Sequence, residues 1–495
     1  MWLLAPDRRS LIIAAIVVGF LICALSGPSY ADEVDDVIRV EMTRRKIPGL
    51  QLAVVRDNVI VKVASYGLAN IEDDVSVKDD TLFAINSVTK AFTGVAVMQL
   101  VEQGKLDISE KISTYLPGLP AAWRELNIKQ LMSHTSGLPA ILAIDETIRL
   151  ISDEGPEASW ELVQTLPKEF PTGSQFKYNQ TNYVLIGKII ERVSGQSFAD
   201  FIYENQIRKV GMKRTGEAGF LNLNNVRPQS ARRYTYYYSE EIANFNSVIF
   251  PPILYPAAGM SSTASEIAHW LIALHTGELL EEPSSIKALW TPALLDDGRT
   301  RGFNNLLNGY ALGWPVVGRE EHPALGPEGA DRSAFFVYPQ DDMSIIVLTN
   351  LSGALPSQFI DEIAGVYFPE MRRENGFGLK PAVKILWREL ESKGYDDAIN
   401  VAQSLQETQG IEFVEADINS WGYSLIEQEK LRPASNVFLL NNHLFPDSAN
   451  TYDSLAEAYW LLGNIEEAIS GYEIVLKMQP DNEYAKGQLA KLRSL

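Results

Sequence analysis

The chain reads as an α+β protein: an antiparallel sheet with flanking helices and an all-helical part, followed by an α-helical repeat region. Three observations carry this. Runs rich in Val, Ile and Leu stand at two distant places, residues 50–65 and 333–350, each broken by a polar turn. Between them lies a stretch, residues 91–101, that is apolar nearly all round, the pattern of a helix buried inside a domain. From about residue 376 the strand runs cease, and two segments match at a spacing of 34 residues.

Taken in order, residues 32–46 form a polar, amphipathic helix candidate. Residues 50–55 and 59–65 pair as a hairpin around Arg56-Asp57-Asn58. The stretch Thr81–Lys90 follows and runs into the buried helix, which ends at Gly104 and carries Ser87 and Lys90 at its start. Ser87 and Lys90 are three apart, so they share one face of its first turn. A lysine at the mouth of an apolar helix is costly unless it is paired or neutral. A neutral amine beside a hydroxyl is one of the few ways to activate serine without histidine.

A short helix over 128–132 leads into Ser133-His134-Thr135-Ser136-Gly137. Residues 140–170 are less regular and are expected to cap a pocket. Residues 182–190 have Ile and Leu at core spacing and read as a helix, preceded by Tyr178-Asn179-Gln180. Residues 207–255 are a loop rich in Tyr and Asn. A helix is expected over 266–275, strands over 310–314, 333–338 and 344–350, and a closing helix over 359–367.

Composition narrows the class. A chain of 495 residues suggests two or three domains. A formal charge of −20 argues against a nucleic-acid partner, which needs basic patches, and against an anionic membrane surface. Arg8 and Arg9, the apolar residues 11–25 and the small residues before Asp32 make residues 1–31 a signal peptide. The rival reading, a membrane anchor, needs an apolar run of ~20 residues. A periplasmic or secreted location follows from the signal, with no stable membrane span after cleavage. The sole cysteine, Cys23, lies in that segment, so the mature chain has no disulfide and no thiolate metal site. No metal, phosphate-loop or dinucleotide motif is present, and no cofactor is expected.

The run around Ser87 resembles the nucleophile helix of the serine β-lactamase and penicillin-binding-protein superfamily, in its class C β-lactamase, DD-peptidase and esterase branch. The likeness covers residues 33–370 and implies a β-lactamase/transpeptidase-like fold over residues 32–372. It implies that Ser87 is the nucleophile, Lys90 its activator and Tyr178 the general base or proton relay. It implies an oxyanion hole built from the Ser87 N–H and a strand N–H. It makes the His134 segment structural, with Ser136 as the rival nucleophile.

Two departures stand out. Gln180 occupies the place of the family's asparagine, and Asn179 is the alternative for that role. The family's Lys-Thr-Gly or His-x-Gly strand is replaced by Ala324-Leu325-Gly326 in one register and Pro327-Glu328-Gly329 in another. Neither supplies a cation, and His322 and Arg332 are the nearest candidates to bind substrate in its stead. The resemblance implies an ester or amide substrate, of small-molecule or peptide type, cleaved through an acyl-enzyme.

Residues 376–495 resemble tetratricopeptide repeats: Ala434 matches Ala468, Phe438 matches Tyr472, and Pro446 matches Pro480. Such repeats either bind a protein partner or serve only as packing.

Overall fold

The computed structural model describes residues 30–493 apart from 145–147, 221–226, 238–239 and 246–249. The signal-peptide segment lies outside the described residues except for its last two positions, which open helix α1 (Tyr30–Arg44). The chain divides into two compact units between Val366 and Tyr367.

The first unit is built on a nine-stranded sheet whose pairings are all antiparallel. Its strands are β1 (Gly49–Arg56), β2 (Val59–Asn70), β3 (Val75–Ser76), β4 (Gly309–Tyr310), β5 (Pro315–Val317), β6 (Ala324–Leu325), β7 (Glu328–Gly329), β8 (Ser333–Tyr338) and β9 (Met343–Thr349). Their spatial order is β4-β5-β6-β8-β9-β1-β2-β3, and β7 pairs with β8 beyond the end of β6. The two β-rich runs of the sequence thus meet at the centre, with Leu50 opposite Thr349 and Arg56 opposite Met343. Asp57 and Asn58 take the left-handed conformation that a tight two-residue hairpin requires, and both residue types tolerate it.

Both faces of the central strands are buried. Ala53, Val55, Phe335, Val337, Ile346 and Leu348 share one core with α2 (Thr89–Glu102) and α5 (Ala264–His275). The alternate residues Leu50, Leu52, Val54, Phe336, Ile345 and Val347 are buried as well. That is why these strands read as near-continuous apolar runs rather than alternating ones. On this second side the closing helix α6 (Ile360–Tyr367) is tied to β8, because Tyr338 donates to Asp361 at 2.8 Å.

The helical part contains α3 (Ile128–Met132), closed by a capping box between Asn127 and Gln130, and α4 (Gln180–Ser194), capped by Asn179. One expectation needs correction. Of residues 310–314 only Tyr310 is in a strand, and 311–314 form the turn between β4 and β5: Gly313 is left-handed and Ala311 N–H donates to the Trp314 carbonyl at 2.8 Å. A side chain at Gly313 would also strike the Lys90 carbonyl, so the turn is held against the nucleophile helix.

In the second unit, helices Pro381–Lys393, Ala398–Gln409, Glu415–Glu427, Leu431–Leu444, Ala449–Leu461, Ile465–Met478 and Glu483–Arg493 follow one another. Small residues set the spacing: Gly422 lies under the Phe438 ring and Gly471 against Ala456. Ala434, Phe438, Ala468 and Tyr472 are fully buried, and Pro446 and Pro480 follow the ends of their helices. No helix among the described residues is long and apolar enough to cross a membrane.

Candidate active site

Ser87 lies in a single 3-10 turn, Asn86–Val88, that runs directly into α2. Asn86 is left-handed, with φ 46°, a conformation uncommon outside glycine and often found beside functional residues. The turn is pinned from two sides: Ile85 N–H donates to the Met260 carbonyl at 3.0 Å, and Val88 N–H donates back to Ile85 at 3.1 Å. Ser87 itself is half-buried.

Lys90 is only 1 % exposed. Its Nζ donates to the Ala257 carbonyl at 2.8 Å and reaches the Ser87 Oγ at 3.3 Å. It also stands 4.6 Å from the centre of the Tyr178 ring. None of these partners is a carboxylate, and burial drives the amine well below its ordinary pKa of 10.5. The carbonyl of Ala257 is offered by a loop whose Pro256 carbonyl accepts from Thr93 on α2 at 2.7 Å, so the loop is tied to the helix that carries the lysine.

Tyr178 is half-buried, and desolvation pushes its phenol far up, against the opposing pull of Ser87 and Gln180. It is therefore a neutral phenol at ordinary pH. Gln180 is the first residue of α4, and its Oε1 is buried with no partner. Asn179 is bonded to the scaffold at both ends of its amide. Its Oδ1 accepts from Thr181 N–H at 2.8 Å and its Nδ2 donates to the Leu138 carbonyl at 2.5 Å. Asn179 is 4 % exposed, and this bonding gives it a part in capping α4.

His134 supports the site from behind. Its Nδ1 accepts from the Asn179 N–H at 3.1 Å, and its ring packs 4.5 Å from Tyr178. Burial, and secondarily the charge of Lys90, hold it well below its ordinary pKa. Ser136, the rival nucleophile, is 1 % exposed and donates to Asn182 Oδ1 at 2.6 Å. It is buried in the framework and offers no open hydroxyl.

Of the two registers for the strand beside the serine, Pro327-Glu328-Gly329 is the one at the site. A side-chain carbon on Gly329 would fall 3.1 Å from the Ser87 nitrogen and 2.1 Å from the Ile85 carbonyl oxygen. Ala324-Leu325 pairs farther along β8, opposite Val337. Glu328 therefore stands at the nucleophile's edge. Burial raises its carboxyl, a hydrogen bond from Ser357 opposes that, and its charge in turn raises Tyr178 and Tyr310.

Neither cation candidate reaches the serine. His322 pairs with Asp341 at 2.9 Å, in the turn beyond the far end of β8. Six residues of strand, roughly 17 Å, separate it from Ser333 beside the nucleophile turn. Arg332 is 2 % exposed, donates to Ser352 Oγ at 2.5 Å and lies 4.9 Å from the Phe245 ring. Burial, with nearby Arg233, takes its guanidinium down to about 10. Both substrate-binding assignments are thus corrected: one side chain is too distant, and the other is buried against Ser352 and Phe245.

Sequence reading missed Ala257, Tyr310 and Phe303. Phe303 is 38 % exposed and packs 5.0 Å from Tyr178 and 5.8 Å from Tyr310. None carries a local signal, since each enters the site only through the fold.

An antiparallel sheet edged by a helical part, with a serine and a buried lysine on the first turn of the central helix, is the β-lactamase/transpeptidase-like fold. The chain belongs to the Beta-lactamase family, whose profile matches residues 34–365. It is similar to Protein flp of Staphylococcus aureus (strain N315), 25 % identical over 341 residues, covering 67 % of this chain and 65 % of that protein. The chain therefore spans about two thirds, 65 %, of that curated relative's length. Among solved structures it resembles EstCE1, a hydrolase with promiscuous acyltransferase activity, with TM-score 0.57, 21 % identity, and coverage of 68 % of this chain and 98 % of that one. It also resembles the D-amino acid amidase from Ochrobactrum anthropi SV3 complexed with L-phenylalanine amide, with TM-score 0.59, 18 % identity, and coverage of 70 % and 100 %. These structural likenesses speak to the fold.

Proposed function

We propose that the protein is an exported serine hydrolase that cleaves an ester or amide through an acyl-enzyme on Ser87. One observation carries this: a buried amine with no carboxylate partner stands 3.3 Å from a half-buried serine hydroxyl. Neutral Lys90 takes the Ser87 proton as Oγ attacks the substrate carbonyl. The Ser87 N–H and the positive end of α2 stabilise the oxyanion, together with an N–H from the strand at Gly329. Tyr178, held as a phenol, relays a proton to the departing alcohol or amine, and water then releases the acyl group. The Gln180 amide, beside Tyr178 and with a buried, unpartnered oxygen, is the group we assign to a substrate N–H once the cleft opens to it.

Membership of the Beta-lactamase family, with a hydrolase and a D-amino acid amidase among the structures that share its fold, supports this reading. The test is covalent labelling of the mature protein with a fluorophosphonate and with a fluorescent penicillin. An adduct on Ser87, absent in Ser87→Ala, is expected. No adduct with either probe sinks the proposal.

A second reading is a hydrolase-fold binding protein whose tetratricopeptide-like region recruits a protein partner. It draws on the acidic strand Pro327-Glu328-Gly329 standing where the family resemblance implies a cation.

A further inference from the structure

Resting on the acyl-transfer reading of Ser87, we propose that Glu328 makes the cleft select substrates bearing an ammonium group, the inverse of a carboxylate-binding site. β7 is the strand packed on the nucleophile turn, because Gly329 fits against Ser87 only for want of a side chain. Glu328 precedes Gly329 in that strand, which puts it at the edge of the nucleophile turn. That residue is half-buried rather than enclosed, and Ser357 holds its carboxyl in place.

Three further facts bias the cleft toward a cation. First, Asp331, in the turn of the same hairpin, adds a second carboxylate within electrostatic reach of Glu328. Second, the Glu328 charge is felt at both Tyr178 and Tyr310, and the exposed Phe303 ring packs on those two phenols. A carboxylate beside aromatic rings is the combination that holds ammonium groups. Third, the two cations nearest the strand and the serine are engaged elsewhere: Arg332 is turned to Ser352, and the Lys90 amine is occupied by Ala257 and Ser87. The formal charge of −20 adds a long-range field that draws cations and slows the approach of anions.

The test uses two esters of the same shape, butyrylcholine and its uncharged isostere 3,3-dimethylbutyl butyrate. Binding is measured calorimetrically on the full Ser87→Ala chain, which cannot be acylated, and on Ser87→Ala/Glu328→Gln. The glutamine keeps the size of the side chain and a group able to bond Ser357. The choline ester is expected to bind about tenfold more tightly than its isostere, falling to near parity in the Glu328→Gln background. Equal affinities in Ser87→Ala, undetectable binding of both esters, or a ratio that survives Glu328→Gln overturns the inference. Because binding is read without turnover, a wild-type chain that takes no fluorophosphonate counts against the hydrolase reading alone.

Discussion

Gly329 and Ser87 touch backbone to backbone: a methyl group on Gly329 would lie 3.1 Å from the Ser87 nitrogen and 2.1 Å from the Ile85 carbonyl oxygen. The glycine is needed here for close approach, not for a left-handed backbone. Gly329→Ala must push β7 off the nucleophile turn. Displacing reacting groups by about 1 Å can cost about 100-fold in rate. We expect a folded protein whose fluorophosphonate labelling falls by about that factor. Labelling at the wild-type rate would show that β7 does not shape the oxyanion site.

Lys90 sets the pH dependence. Its amine is held well below 10.5, so the neutral, proton-accepting form grows as pH rises through that lowered value and then saturates. Labelling should climb with pH to a plateau, with its inflection well under 10.5. The stability sign is opposite to that of an ion-paired lysine. The folded chain binds the proton less tightly than the unfolded one, so the penalty is greatest at low pH and fades as pH approaches the unfolded value. Lys90→Met should abolish labelling yet raise Tm, most at the acid end. A lower Tm at every pH would mean that the amine is stabilised by contacts stronger than those to Ala257 and Ser87.

Asn179 and Gln180 are adjacent but should fail differently. Asn179→Ala removes a helix cap and leaves the Leu138 carbonyl without its donor, a loss of about 1–2 kcal/mol in stability. Gln180→Ala removes an unpartnered buried oxygen together with one hydrogen bond to Tyr178, so thermal stability should change less than in Asn179→Ala while turnover drops. Paired measurements of Tm and kcat/KM on one amide substrate separate the two. A selective loss of turnover in Asn179→Ala, at unchanged Tm, would return the substrate role to Asn179.

Arg332 offers a check on carboxylate substrates. Its Nε and Nη1 are buried without partners, and a buried charge can often be replaced by an apolar side chain of similar volume at little loss. Arg332→Met should stay folded and leave unchanged the ratio of kcat/KM for a chromogenic cephalosporin to that for a short nitrophenyl ester. The ester should be the better substrate of the two. If the cephalosporin is preferred and Arg332→Met selectively destroys that activity, the guanidinium reaches the cleft after all.

The helical tail should be dispensable for acylation. A chain ending at residue 372 retains the segments that carry Ser87, Lys90, Tyr178 and Gly329. We expect it to label with fluorophosphonate as the full chain does. A truncated chain that folds, by circular dichroism, but takes no label would place part of the site in residues 373–495.

Much of this was written locally. Alternating or continuous apolar runs, the Asp57-Asn58 turn and the polar stop at Gly104 report on neighbours a few residues away, and sequence reads such neighbours directly. Ser87 and Lys90 were legible for the same reason, because one turn of helix brings them together. The sheet's order and the strand beside the serine were not. Gly329 reaches Ser87 across 242 residues of chain, and Pro327-Glu328-Gly329 and Ala324-Leu325-Gly326 are equally plausible strands when read alone. Pairing with β8 decides between them, since Glu328 opposes Ala334 while Leu325 opposes Val337. The fates of His322 and Arg332 were likewise set by the fold: strand length carries one away from the serine, and burial turns the other to Ser352. Sequence determined which chemical groups this protein owns, and tertiary packing alone decided which of them share a dry site, because desolvation and approach depend on what lies across space rather than along the chain.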